Sequence, residues 1–272
     1  MAKAAKQTGA ERPLISRLQM VGATLHLLGT SALVMNRFTE KAKRQILLPP
    51  RAPNRAARAA TLKHDPLEEF RASVYRCRDA DAPAAVHLPG NSIKKALAQA
   101  AVDTPGATRA EVGRLITVTT PTIFLYGIPQ LHMSMVRQAG IAKTPDIRTR
   151  AYFPRWACSM SFRYVRDLIT LDDVLNLAMN AGMIVGVGDG RQERGAFSFG
   201  SWDVVSHDHP EWMDIVEKEG REAQLAALDD PSFADEESAD LLGWYDAEVM
   251  RRRDPVTRSR SSDQPEQPGA ST

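Results

Sequence analysis

LDDVLNLAMNAGMIVGVGDGRQERGAFSFGSWDVV, residues Leu171 to Val205, is the stretch from which the rest of the chain is read. Leu171, Val174, Leu175, Ala178 and Met179 recur at helical spacing, so it opens as an amphipathic helix over 171–181. Asp172 and Asp173 occupy the first turn, where the helix dipole favours negative charge. Gly182 reads as the residue that stops the helix. Met183 to Val187 read as a short buried strand. Gly186, Gly188, Gly190, Gly195 and Gly200 follow, with Arg191 and Arg194 among them. Phe197, Phe199, Trp202 and Val204 resume strand character.

The glycine-rich loop is not a Walker A motif, because no GK[ST] ends it. Nor is it a dinucleotide fingerprint, because a strand and not a helix follows. Two readings stand. Glycines let backbone N–H groups approach phosphates closely, and arginines add charge, so Gly188, Gly190, Arg191 and Arg194 are candidate phosphate contacts. The alternative is a tight hairpin with a solvated tip.

Upstream, Met20 to Leu28 alternates Val21, Ala23, Leu25 and Leu27 against Thr24 and His26, which predicts a strand. Asp65 and Pro66 start a helix over 65–71, and Ala72 to Arg78 reads as a short strand. NSIKKALAQAAV over 91–102 predicts a helix capped by Asn91 or Ser92, with Ile93 and Leu97 on one face and Lys94, Lys95 and Gln99 on the other. RLITVT over 114–119 is a β-branched strand, and Thr122 to Tyr126 a second extended run. Gly127 to Thr149 reads as long and irregular, a length that is usually functional or disordered. Trp156 to Val165 is the next strand. Acidic helices are expected over 209–228 and 238–253.

Without the excursions the order is β-α-β-β-α-β. The expected fold class is therefore α+β, with a ferredoxin-like core of the type found in RRM modules, long insertions and C-terminal helices. The corresponding organisation is a flexible arm at 1–19, a core at 20–205 with insertions at 29–90 and 120–155, a helical extension at 206–253 and a disordered tail at 254–272. The helices should cover one sheet face and leave the other free.

The net charge of +2 is too small to identify a partner, but its distribution is uneven. Arg37, Lys41, Lys43, Arg44, Arg51, Arg55, Arg58 and Lys63 share a segment with Glu40 as its acid, whereas 208–246 is acidic. A second basic run, Arg148, Arg150 and Arg155, interleaves with Tyr152, Phe153 and Trp156. That pattern suits bases stacked on aromatics along a tracked backbone, although Trp156 and its neighbours also suit a core. Cys77 and Cys158 form neither a disulfide framework nor a zinc spacing, and read as reduced thiols in the cytoplasm. No apolar run approaches the roughly 18 residues of a membrane span. His207 and His209 lack clustered ligands and read as a solvated junction, so no metal or cofactor is expected. No nucleophile elbow or HExxH is present, and no enzymatic activity is expected.

GMIVGVGDGR followed by GAFSFGSWDV resembles the glycine-rich loop after the second helix in the repeat-associated RNA-binding (RAMP) superfamily. The order of elements is similar to the Cas7-like backbone subunits of CRISPR effector complexes. GTSALVMNRF with its basic continuation is similar to bacteriophage proteins of that general shape. The resemblance spans about residues 20–205 and implies a non-catalytic, self-associating protein that binds single-stranded RNA or DNA along its length, in the host cytoplasm if phage-encoded. The insertion after the second strand would be the thumb that reaches a neighbour or the strand. Two alternatives remain: a structural or adaptor protein that uses the insertions for protein contacts, and a single-strand annealing protein.

Overall fold

The computed structural model describes residues 16–37, 64–137, 145–194 and 197–253, and Leu47 besides. The arm before residue 16, most of the basic segment and the tail after residue 253 lie outside the described residues.

Strand β1 (Met20–Gly29) buries Leu25 and Leu27 and is the spine of the larger sheet. It pairs antiparallel with β8 (Ala157–Val165) from Met20↔Val165 to Leu28↔Ala157. Its other edge takes β9 (Trp202–Val205). The far side of β8 is shared by β4 (Ile116–Val118) and β5 (Thr122–Tyr126), and β5 carries β3 (Val86–Pro89) at the edge. The order is β3-β5-β8-β1-β9, with β4 beside β5 on β8. A second, three-stranded sheet runs β2-β7-β6, with β2 (Leu33–Met35), β6 (Gln130–Arg137) and β7 (Pro145–Phe153). The fold is thus mixed α+β with antiparallel sheets.

Helices α1 (Pro66–Ala72), α2 (Asn91–Ala100), α3 (Arg109–Leu115) and α4 (Leu171–Ile184) precede the C-terminal group α5 (Pro210–Lys218), α6 (Arg221–Asp229) and α7 (Glu236–Arg253). Ile93 and Leu97 of α2, Val112 of α3, and Val174, Leu177 and Ala178 of α4 are buried in the same core as Met160 and Phe162 of β8. Trp156, Trp202, Phe70 and Phe153 are its largest fully buried side chains. Phe70 and Phe153 each contribute about 1.5–3 kcal/mol over an exposed position. Burial pushes the Cys158 thiol up to about 12, so it stays an unreactive core group.

Several expectations need correction. The described parts of 127–149 are not irregular: β6 and β7 pair over eight residues, from Gln130↔Tyr152 to Arg137↔Pro145. Arg114 and Leu115 end a helix and do not begin a strand, because Thr108 caps α3 by accepting from the Glu111 N–H. Between 72 and 78 only an isolated bridge, Arg76↔Val86, takes the place of the expected strand. The backbone of Gly90, and neither Asn91 nor Ser92, caps α2. The acidic helix over 209–228 is two helices broken at Gly220.

Gly182 does not stop α4. The helix continues to Ile184, and Gly182 lies inside it against β9, where an added Cβ would sit 2.0 Å from the Trp202 carbonyl oxygen. The expected strand at 183–187 is therefore absent. Gly186 takes the left-handed conformation (φ +74°), and its N–H donates to the Ala181 oxygen at 2.9 Å.

The C-terminal helices dock. Gln224 of α6 is fully buried. Its Oε1 accepts from the Ala85 and Val86 N–H groups at 2.8 and 3.2 Å, and its Nε2 donates to the Leu125 and Gly127 oxygens at 2.7 and 3.1 Å. Ile215 and Trp212 of α5 cover Leu28 and Ala157 on the outer face of the larger sheet. That face is consequently only partly open. What remains carries Thr24, Ser159, Ser161 and Arg163, while Phe162 and Tyr164 point into the core. Among the described residues it lacks the aromatic platform of an RRM surface. Residues Ser232–Ala234 pair with Leu131, and the Ser238 hydroxyl accepts from the Met133 N–H, which closes the β6 edge against further pairing.

Candidate nucleic-acid interface

The aromatic and basic side chains gather on the smaller sheet. Along β7, Thr149, Ala151 and Phe153 are buried, while Arg148, Arg150 and Tyr152 alternate with them on the opposite face. Register places Ser134 beside Arg148, His132 beside Arg150, and Gln130 and Val34 on either side of Tyr152. Strand periodicity alone thus delivers two arginines and a tyrosine to one surface.

The glycine-rich loop folds over the β2 edge of this surface. Val34 and Asp189 form a bridge, and the Asp189 N–H donates to the Val34 oxygen at 2.8 Å. The loop approaches so closely that a Cβ on Gly188 would sit 2.5 Å from Leu33 Cδ1 and 2.6 Å from the Val34 oxygen. It brings Phe199 edge-on to Tyr152, with ring centroids 6.1 Å apart at 89°. Phe197 stacks on Phe199 at 5.5 Å and 12°, and His132 tilts against Tyr152 at 5.7 Å. The result is a ladder of rings, Phe197–Phe199–Tyr152–His132, ending in a Phe197 that is 59% exposed.

Charge accompanies the ladder. Arg148 is exposed. Arg150 is half-buried: its Nε lies 3.4 Å from Asp189 Oδ2 and makes no hydrogen bond among the described residues. Burial lowers the Arg150 pKa and Asp189 partly restores it, while a guanidinium stays charged throughout. His132 Nδ1 is likewise buried without a hydrogen-bond partner among the described residues, and burial lowers the His132 pKa. Two adjacent side chains therefore retain unused polar capacity, a costly arrangement inside a protein unless something else satisfies it.

The sequence-derived candidates divide. Arg148, Arg150, Tyr152, Gly188, Gly190 and Arg191 meet around the ladder and its loop. Arg37 follows β2, and its N–H donates to the Ser73 oxygen at 2.8 Å. Lys41, Lys43, Arg44, Arg51, Arg55 and Arg58 lie outside the described residues, as does the Arg194 side chain. Arg155 points elsewhere: its Nε donates to Glu219 Oε1 at 2.5 Å and its Nη2 lies 3.0 Å from Asp214 Oδ2, clamping α5 to the end of β7.

The loop's glycines also serve a different purpose from the one expected. The N–H groups of Gly186, Val187, Asp189 and Gly190 donate to Ala181, Gly200, Val34 and the Asp189 carboxylate, all within the fold. The glycines are where they are to let the loop pack on β2, and those four donors are taken. Arg191 is held by Glu193 at 2.8 Å and by the Gly188 oxygen at 3.2 Å.

Sequence reasoning missed His132, Phe197, Phe199 and Asp189 as parts of this surface. The sequence reads Phe197 and Phe199 as strand residues, but β9 begins only at Trp202, and Phe199 makes just an isolated bridge with Arg191. Their partner Tyr152 is set by tertiary closure. Among the described residues no group of three or more His, Cys, Asp or Glu side chains is placed to hold a metal, and His209 instead precedes the first turn of α5. No helix among them is long and apolar enough to cross a membrane.

No family model matches the chain, and no curated protein matches it. Among solved structures it is similar to the crystal structure of Cmr6 from Pyrococcus furiosus, with a TM-score of 0.34 and 9% identity over 69% of this chain and 98% of that one. A superposition this loose establishes neither a shared family nor a shared function.

Proposed function

We propose that this protein binds single-stranded nucleic acid without catalysis, using the outer face of β2-β7-β6 and the glycine-rich loop. The observation that carries the reading is the ladder of four rings flanked by Arg148 and Arg150. A base stacks on the exposed Phe197, backed by the partly buried rings behind it, while the exposed Arg148 neutralises the backbone, a combination that tolerates any sequence. The basic segment containing Lys41, Lys43, Arg44, Arg51, Arg55 and Arg58 supplies further charge in this proposal.

We further propose a RAMP-type, ferredoxin-like core. In support, β1, β4/β5, β8 and β9 follow one another with α2 and α4 between them, and β1 lies between β8 and β9 in the sheet. Self-association along the strand completes the proposal. A titration of a fluorescent oligonucleotide against salt tests it. Counterion release makes log affinity fall linearly with log salt, by about 0.7 per phosphate neutralised on a single strand. Absence of binding at low salt rejects the proposal.

One observation favours an adaptor role. Helix α7 turns Leu241 and Tyr245 inward but leaves Trp244 66% and Met250 68% exposed. Light scattering with and without oligonucleotide separates the two: assembly that ignores nucleic acid, with no strand bound, selects the adaptor.

A further inference from the structure

Behind the glycine-rich loop lies a cleft of about 490 Å³, walled by α2 and the start of α3 on one side and by residues 185–193 on the other. That volume lies within the roughly 300–1,000 Å³ typical of small-molecule sites. The cleft has an apolar floor, including Met35, Leu88 and Val187 at 2%, 3% and 6% exposure.

The polar groups are sorted between the walls. The helix wall carries Lys95 and Arg109, both exposed, and neither makes a hydrogen bond or ion pair among the described residues. Ser92, in the first turn of α2, lines the same wall, where the helix dipole adds positive potential. The loop wall carries two carboxylates and the Arg191 guanidinium, which is bonded to one of them. Asp189 accepts from Asn36 at 2.9 Å and from the Gly190 N–H at 3.0 Å. Glu193 accepts from Arg191 at 2.8 Å. A carboxylate has about four lone-pair sites, so each retains capacity to accept more.

We propose that this cleft binds a ribonucleoside 5′-phosphate, either free or at the 5′ end of a strand. The phosphate meets Lys95 and Arg109. The ribose hydroxyls donate to Asp189 and Glu193. The base lies on the apolar floor. A bare anion uses the cations alone and leaves the remaining lone pairs of Asp189 and Glu193 unmet. A bare cation fits poorly, because Lys95 and Arg109 repel it. A ligand with an anionic end, hydroxyl donors in the middle and a flat apolar ring matches all three surfaces. The cleft shares the glycine-rich loop with the strand-binding surface, and Asp189 reaches both through its contact with Arg150, but none of the four rings of the ladder lines it. The proposal therefore does not depend on strand binding by the ladder.

Calorimetry on the full chain tests it with four kinds of probe: the ribonucleoside 5′-monophosphates, their 2′-deoxy counterparts, inorganic phosphate, and one oligonucleotide carrying either a 5′-phosphate or a 5′-hydroxyl. At least one ribonucleotide should bind, and its 2′-deoxy form should bind roughly tenfold more weakly for the lost hydrogen bond to a charged group. Lys95→Ala with Arg109→Ala should lower ribonucleotide affinity by about tenfold or more. Both side chains are exposed, and an unchanged melting curve of the double variant shows that the fold survives. A 5′-phosphate advantage that the double variant abolishes identifies a strand end as the occupant; binding of free nucleotides alone identifies a small ligand. The proposal is overturned if no nucleotide binds at millimolar concentration, if the double variant binds as well as the parent, or if inorganic phosphate binds as tightly as the nucleotides. Strand binding by the ladder is read separately from the 5′-hydroxyl oligonucleotide, so the two proposals fail independently.

Discussion

Tyr152 and Phe199 meet edge to face with their ring centroids 6.1 Å apart, one on β7 and the other beyond the glycine-rich loop. The contact joins the smaller sheet to the loop and extends through Phe197 into solvent. Removing an exposed ring from such a ladder should weaken strand binding with little effect on folding. Phe197→Ala is expected to lose about 1–3 kcal/mol of single-strand affinity, the worth of one base stacked on an aromatic ring. Its melting temperature should stay close to the parent's. Fluorescence anisotropy with a labelled oligonucleotide checks the first statement and thermal unfolding the second. An unchanged affinity argues against the ladder as the binding surface.

Arg155 should behave in the opposite way. It holds Glu219, which is 5% exposed, and Asp214. Arg155→Ala leaves a buried carboxylate without its cation. Because the arginine is itself 43% exposed, solvent screens the pair. The expected cost to stability is about 1–2 kcal/mol, with strand affinity unchanged. Urea denaturation beside an oligonucleotide titration separates the effects; a variant that loses affinity at full stability returns Arg155 to the interface.

Gly182→Ala should destabilise the fold although alanine favours helix. The added methyl would press on the Trp202 carbonyl oxygen and force α4 away from β9. Overpacking of a filled core costs about 1–3 kcal/mol, which exceeds the roughly 1 kcal/mol gained in helix propensity at its upper end. A fall in the denaturation midpoint is expected; a rise would mean that the helix shifts without penalty.

Acid should weaken the fold through two histidines. Burial lowers the pKa of His26, with His207 adding to the effect, and burial lowers that of His132 despite the opposing pull of Asp235. Between each folded value and the unfolded value of about 6.5, the unfolded chain binds more protons. Stability from these groups is therefore present above the unfolded pKa and lost as pH falls through that window. Denaturation midpoints measured from pH 8 down to 5 (about the range over which histidine titrates) should decline below about 6.5. His26→Asn with His132→Asn should flatten the decline. A profile unaffected by the double variant would place the titration elsewhere.

Much of the architecture was present as local pattern. The alternation of Val21, Ala23, Leu25 and Leu27 makes β1, and the helical spacing from Leu171 makes α4. Some signals were present but outweighed. Thr108 and Glu111 have capping-box spacing, with the Thr108 hydroxyl accepting from the Glu111 N–H at 3.2 Å and donating to Glu111 Oε2 at 2.7 Å. The β-branched run Ile116–Val118 carries a strand signal that extends in sequence over Arg114 and Leu115, although the helix holds both. Leu131 and Met133 alternate with Gln130, His132 and Ser134, a strand period masked by neighbouring glycines, prolines and basic residues. By sequence Gly182 takes its usual role at a helix end, because its closeness to Trp202 is not a property of its neighbours in sequence.

What the chain alone determined is where strands and helices form and which face of each is apolar, since those follow from interactions within a few residues. Which side chains meet was decided by tertiary closure. Arg155 could have faced a strand or a carboxylate until α5 brought Glu219 to it, and Phe199 is part of a ladder only because the loop packs on β2. The physical reason is that a contact between distant segments depends on the path of everything between them, and local propensity carries no record of that path.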